Sequence, residues 1–183
     1  TYSGSTVTKI YNVTKSKTGP GIKVYCVALG SDSSTSDVQL TTSYKDMYLA
    51  DVITNESNIL TAVSSKSATT FTINESGRYK IELQAAFRVK NVTKGSTYSA
   101  ICSAQILKNG DTPAGWNSST SSLSATLAAL SAASAAYASS AITISKTVFL
   151  AAGTTLKMQA KTSTTSGGTS YLELATDSET QSA

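Results

Sequence analysis

Apolar and polar residues alternate along much of the chain with a period of two. The clearest case is residues 78–90, RYKIELQAAFRVK, where Tyr79, Ile81, Leu83, Ala85, Phe87 and Val89 share one face while Arg78, Lys80, Glu82, Gln84, Arg88 and Lys90 share the other. Successive side chains of a strand point to opposite faces, so the run predicts one long strand with a single buried face. It follows an alternating run, residues 69–73, across the turn Asn74-Glu75-Ser76-Gly77. Residues 98–108 continue the pattern, with Ala100, Cys102, Ala104 and Ile106 on one side, and stop at Asn109-Gly110, a strong hairpin-type turn signal. Residues 141–150 and 154–161 flank Ala151-Ala152-Gly153, and a last strand, residues 170–176, follows Gly167-Gly168. About ten short strands at regular spacing predict an all-β sandwich, jelly roll or barrel, and the period-two runs point to an antiparallel two-sheet jelly roll. The expected core is Tyr79, Ile81, Leu83, Phe87, Ile106, Val148, Leu150, Leu156 and Leu172.

Two regions depart from this pattern. Residues 1–36 read as an N-terminal extended arm ahead of a body at 37–183. The arm carries two strand-like runs, Val7 to Val13 and Ile22 to Leu29, and ends in a Ser/Thr/Asp-rich join from Gly30. The run 22–29 is expected to dock on the body and residues 1–14 to reach outward. Residues 125–141 hold nine alanines. Alanine favours helix, but the all-β surroundings point to strand and loop. Ala100, Ala104, Ala128, Ala132 and Ala135 are expected at a subunit contact, where small residues let backbones approach.

The strand pieces resemble the C1q/TNF-like jelly-roll family. TTFTINESGRYKIELQAAF (69–87) resembles that family's central strand pair, with a Gly turn before an aromatic-rich strand. AQILKNGD (104–111) resembles the next strand with its Asn-Gly turn, ITISKTVFLAAGTTLKMQAK (142–161) a later strand pair, and YLELA (171–175) falls where the closing strand belongs. No collagen repeat precedes the body, the closing strand lacks the aromatic-Gly pattern of animal members, and the Ala-rich stretch has no counterpart. The likeness is therefore to the divergent microbial and viral members of spore surfaces and fibres. It implies a jelly roll, a tight homotrimer and no catalysis, and it transfers no ligand.

Composition narrows the chemistry. Ser and Thr number 59 of 183 residues, whereas charged residues are 14%, so hydroxyls replace ions on the surface. Net charge is +4, from 13 Lys spread along the chain and two Arg, with no basic cluster for nucleic acid. No apolar run reaches the roughly 20 residues of a membrane helix. The chain has no His, which removes the commonest general base and transition-metal ligand. No phosphate-binding Gly loop, zinc spacing or calcium loop is present, so no cofactor, metal or catalytic residue is expected. Two of the eleven carboxylates could in principle serve a glycosidase, but most fall in loops or on polar strand faces and read as solvated.

Cys26 and Cys102, the only thiols, read either as two buried small hydrophobes or as one disulfide tying arm to body. Asn12, Asn55, Asn74, Asn91 and Asn117 each open an N-x-S/T sequon, five of seven asparagines, and mark candidate N-glycosylation sites. Trp116, in a loop after Pro113-Ala114-Gly115, and Tyr137 are the candidate surface-contact residues, aromatic groups suited to a glycan or protein receptor. The expectation is a non-enzymatic structural or adhesive protein of a virion or cell surface: the trimeric head of a fibre, or a capsid decoration. The alternative is a repeating subunit of an extracellular filament that donates its N-terminal strand to the next copy.

Overall fold

The computed structural model describes residues 11–15, 38–47, 60–62 and 70–173. These residues form thirteen strand segments and no helix. In chain order they are β1 (Tyr11–Lys15), β2 (Val38–Gln39), β3 (Lys45–Asp46), β4 (Leu60–Ala62), β5 (Thr70–Ile73), β6 (Gly77–Asn91), β7 (Ser96–Ala100), β8 (Cys102–Lys108), β9 (Asn117–Ser119), β10 (Leu123–Leu127), β11 (Ala136–Leu150), β12 (Thr155–Thr162) and β13 (Thr169–Leu172).

Every pairing is antiparallel, and two sheets carry the fold. In the first, β6 is central. The fifteen residues of β11 pair along its whole length, from Ala136 opposite Asn91 to Leu150 opposite Gly77. The opposite edge is shared by β1, on Tyr79–Leu83, and β13, on Phe87–Lys90, and β13 carries β2 beyond it. In the second sheet β12 is central, flanked by β8 on one edge and by β5 and β3 on the other, with β9 and β4 outermost. The inward residues of both sheets meet in one core: Tyr79, Ile81, Leu83, Phe87 and Leu172 from the first, Phe71, Ile73, Ile106, Leu156 and Met158 from the second. The chain is thus an all-β antiparallel sandwich.

The core contains every residue expected of it except Val148, which is half-buried at the core edge. Ala100 and Ala104, expected at a subunit contact, are instead buried in the core. The Ala-rich stretch is strand and loop: β10, a turn, then the first half of β11. Residues 98–108, expected as one strand, are two. β7 pairs with β10 in a small ribbon against β6 and β11, whereas β8 joins β12. The chain changes sheet at Ile101, whose amide donates to Ser163 Oγ (2.9 Å) and whose carbonyl accepts from the Ser163 amide (2.8 Å). Residues 22–29 and Cys26 lie outside the described residues. The other arm run does not simply reach outward, because from Tyr11 onward it is paired with β6.

Polar side chains tie the strands. Thr97 and Thr126, Ser99 and Ser124, and Ser103 and Ser119 are register partners whose hydroxyl oxygens lie 2.7–2.8 Å apart on exposed faces. Inside, Tyr98 Oη donates to the Thr164 carbonyl (2.7 Å) and lies 2.9 Å from Ser170 Oγ, which is 2.9 Å from Thr162 Oγ1. Gly168 abuts this Tyr98 ring: a Cβ there would fall 2.3 Å from Tyr98 Cγ and 2.7 Å from the Lys90 carbonyl oxygen.

Candidate contact surface

The residues of the first sheet that point away from the core form a face ordered by register. Ser139 of β11 lies opposite Arg88 of β6, Arg88 opposite Tyr171 of β13, and Tyr171 opposite Gln39 of β2, giving one row across four strands. In the next row Tyr137 lies opposite Lys90 and Lys90 opposite Thr169. Side chains at directly and diagonally opposed positions of neighbouring strands can touch, and here they gather round Arg88. Its guanidinium carbon sits 5.2 Å from the centroid of the Tyr137 ring and 5.7 Å from that of Tyr171, with Lys90 Nζ 6.0 Å from the Tyr137 centroid. Within about 6 Å of a ring, a cation is attracted by the negative face of the π system. Glu173 Oε1 lies 3.6 Å from Arg88 Nε and accepts a hydrogen bond from Ser139 Oγ (3.2 Å).

This cluster combines aromatic faces, two cations, a carboxylate and a hydroxyl on a sheet surface. Tyr137 remains 54% exposed, so its ring has a free face for contact. Farther along the sheet Lys80 pairs with Glu82 (2.7 Å), and Phe149, 60% exposed, lies in register with Arg78.

The second candidate contact residue is not on the surface. Trp116 is buried, 6% exposed. Gly115, at φ 75°, turns the chain, the Trp116 amide donates to the Pro113 carbonyl (3.0 Å), and its carbonyl accepts from the Ile106 amide (2.9 Å), so the ring folds back onto the core. The sequence signal that could have shown this is the hydrophobicity of the ring itself beside a Gly that can take positive φ.

The sequons divide. Asn74 and Asn117 are exposed, while Asn55 lies outside the described residues and Asn12 stands in β1 in register with Glu82. Asn91 is fully buried. Its Nδ2 donates to the carbonyls of Ser96 (2.8 Å) and Ala125 (3.1 Å) and to Ser96 Oγ, and its Oδ1 accepts from the Thr93 amide (2.9 Å). That sequon is a turn lock between β6 and β7 and cannot carry a glycan in the folded domain.

Cys102 is buried and forms no disulfide among the described residues; Cys26, the other cysteine, lies outside them. Burial pushes the Cys102 thiol up, and hydrogen bonds with Ser170 and Thr162 offset only part of that. On the outer face of the second sheet a row crosses three strands: Gln105 Nε2 donates to Gln159 Oε1, and Gln159 Nε2 donates to Asp46 Oδ1, both at 2.7 Å. Lys157 Nζ completes it at 2.9 Å from Asp46 Oδ2. Partial burial pushes the Asp46 carboxyl up, but the hydrogen bonds from Gln159 and Lys157 and the lysine charge outweigh it and hold the group below its usual value. Among the described residues no three His, Cys, Asp or Glu side chains gather as a metal cluster, and no helix is long and apolar enough to cross a membrane.

No protein-family model and no curated protein sequence matches the chain.

Proposed function

We propose that this chain is a non-enzymatic structural and adhesive module of a virion or cell surface, a homotrimeric fibre head or capsid decoration. Its contact face is the outer side of the β11–β6–β13–β2 sheet. The observation that carries this is the Arg88 cluster, in which partly exposed Tyr137 and Tyr171 rings flank a guanidinium on a regular sheet. Tyr and Arg are among the residues enriched at the energetic centres of protein interfaces: Tyr brings a large rigid area with a polar handle, and Arg a planar charged fork that stacks on aromatic rings. The strand orders are in keeping with the C1q/TNF-like reading: in β2-β13-β6-β11 and β5-β12-β8-β9 most neighbours, the consecutive pair β8 and β9 apart, are distant in sequence, and long returns of this kind occur in Greek-key winding.

Native mass spectrometry of the full chain tests the assembly. Three copies at micromolar concentration are expected, and a monodisperse monomer refutes the trimer. Arg88→Ala/Tyr137→Ala tests the face. The variant keeps the circular dichroism of the parent and loses either the trimer or the binding of intact chain to a glycan array and to host cells. If it retains both, this face is not the contact surface.

A further inference from the structure

One edge of β6 is completed by two segments laid end to end. β13 covers Phe87–Lys90, and just beyond it the Glu173 amide still donates to the Ala86 carbonyl (2.9 Å). β1 covers Tyr79–Leu83. Both run antiparallel to β6 and hence parallel to each other, so they act as one interrupted strand whose halves come from opposite ends of the described chain.

The halves are held differently. β13 is paired on both sides, with β6 and with β2, whereas β1, among the described residues, pairs with β6 alone. Between Lys15 and Val38 lie 22 residues, which at full extension span up to about 75 Å. A domain of this size is roughly 40 Å across. The strand that fills the Tyr79–Leu83 edge can therefore be supplied by its own chain or by a neighbour, with the same backbone hydrogen bonds in either case.

We propose that the β6 edge from Tyr79 to Leu83 is a docking slot for residues 11–15 of a second copy of this chain, and that copies are joined by exchanging β1. The two arrangements contain the same strand pairs, and exchange, being bimolecular, rises with the concentration of copies. Reciprocal exchange closes a dimer, and head-to-tail exchange propagates an open chain. This linkage uses the sheet edge and not the Arg88 face, so Arg88→Ala/Tyr137→Ala leaves it intact.

Register partners in an antiparallel pair lie within disulfide reach, and Thr14 is the partner of Lys80, Asn12 of Glu82. In a Cys26→Ser background, isotopically labelled Thr14→Cys protein is mixed with unlabelled Lys80→Cys protein, equilibrated and oxidised. Non-reducing mass spectrometry reads the product. At about 1 mM the mixed interchain disulfide is expected at several-fold the yield of Thr14→Cys mixed with Lys161→Cys, falling as the protein is diluted. Asn12→Cys with Glu82→Cys gives the same result and covers the chance that one variant misfolds. Interchain product at 1 mM no higher than for Thr14→Cys mixed with Lys161→Cys, while the Thr14→Cys/Lys80→Cys single chain closes on itself, overturns the exchange.

Discussion

The side-chain amide of Asn91 donates to the carbonyl of Ala125, 34 residues away and 3.1 Å distant, and so fastens the end of β6 to the β7–β10 ribbon. With its bonds to Ser96 and Thr93, every polar atom of this buried side chain is used. Asn91→Ala leaves four partner groups, two carbonyls, a hydroxyl and an amide, without the side chain that satisfied them. It is expected to cost about 2–3 kcal/mol in urea unfolding. In a glycosylating host, peptide mapping of folded protein is expected to find Asn91 unmodified, whatever the state of the exposed Asn74 and Asn117. A glycan on Asn91 in folded protein would contradict the buried geometry.

Gly168 is fixed by space rather than by backbone angle. Its missing Cβ leaves room for the Tyr98 ring and the Lys90 carbonyl. Gly168→Ala must displace Tyr98, whose hydroxyl holds Thr164 and Ser170. A loss of about 2–3 kcal/mol is expected from thermal unfolding, as for overpacking at a tight site. Pairing it with Tyr98→Phe in a double-mutant cycle should give a non-additive result, since both act on one network.

The Asp46 row makes a pH prediction. The folded-state carboxyl lies below its ordinary value of 3.8, so its stabilisation is present above that value and disappears as pH falls through the folded-state value. The side chains of Asp46 and Lys157 are about one-third exposed, and solvent screening holds the contribution to about 0.5 kcal/mol. Urea unfolding at pH 7 and at a series of pH values below the ordinary carboxylate value is expected to show the parent losing up to about that much more than Asp46→Asn. An equal loss in both would remove the row from the acid response.

Cys102 is expected to resist thiol chemistry. The thiolate is the reactive form, and burial disfavours it. In Cys26→Ser protein an aromatic disulfide reagent should label no thiol at pH 8 until denaturant is added, and one thiol afterward. Because the folded-state value is raised, the neutral thiol stabilises the fold below the ordinary thiol range, and that contribution is lost as pH rises through the folded-state value.

The long strands were plain in the sequence because β6 and β12 each bury one face without interruption, and period two then assigns every side chain. Sheet membership was not legible. Ala100 and Cys102 are both buried, so the alternation passes unbroken through Ile101 while the chain leaves one sheet for the other. Sequence distance hid the contact cluster: Arg88, Tyr137 and Tyr171 meet only because β11 and β13 flank β6 in a register that no local pattern announces. Tyr137 was visible as an exposed aromatic, and Trp116 looked the same until the turn at Gly115 folded it inward. Asn91 shows that a three-residue motif records only its own composition, whereas burial depends on the strands around it.

The hydroxyl pairs Thr97–Thr126, Ser99–Ser124 and Ser103–Ser119 stand where many sheets carry ion pairs. A hydroxyl pair has no charge for counterions to screen and no proton to lose across the physiological range. These cross-strand ties therefore hold equally in fresh water, in brine and in mildly acid surroundings, and the strands they join keep their register through all three.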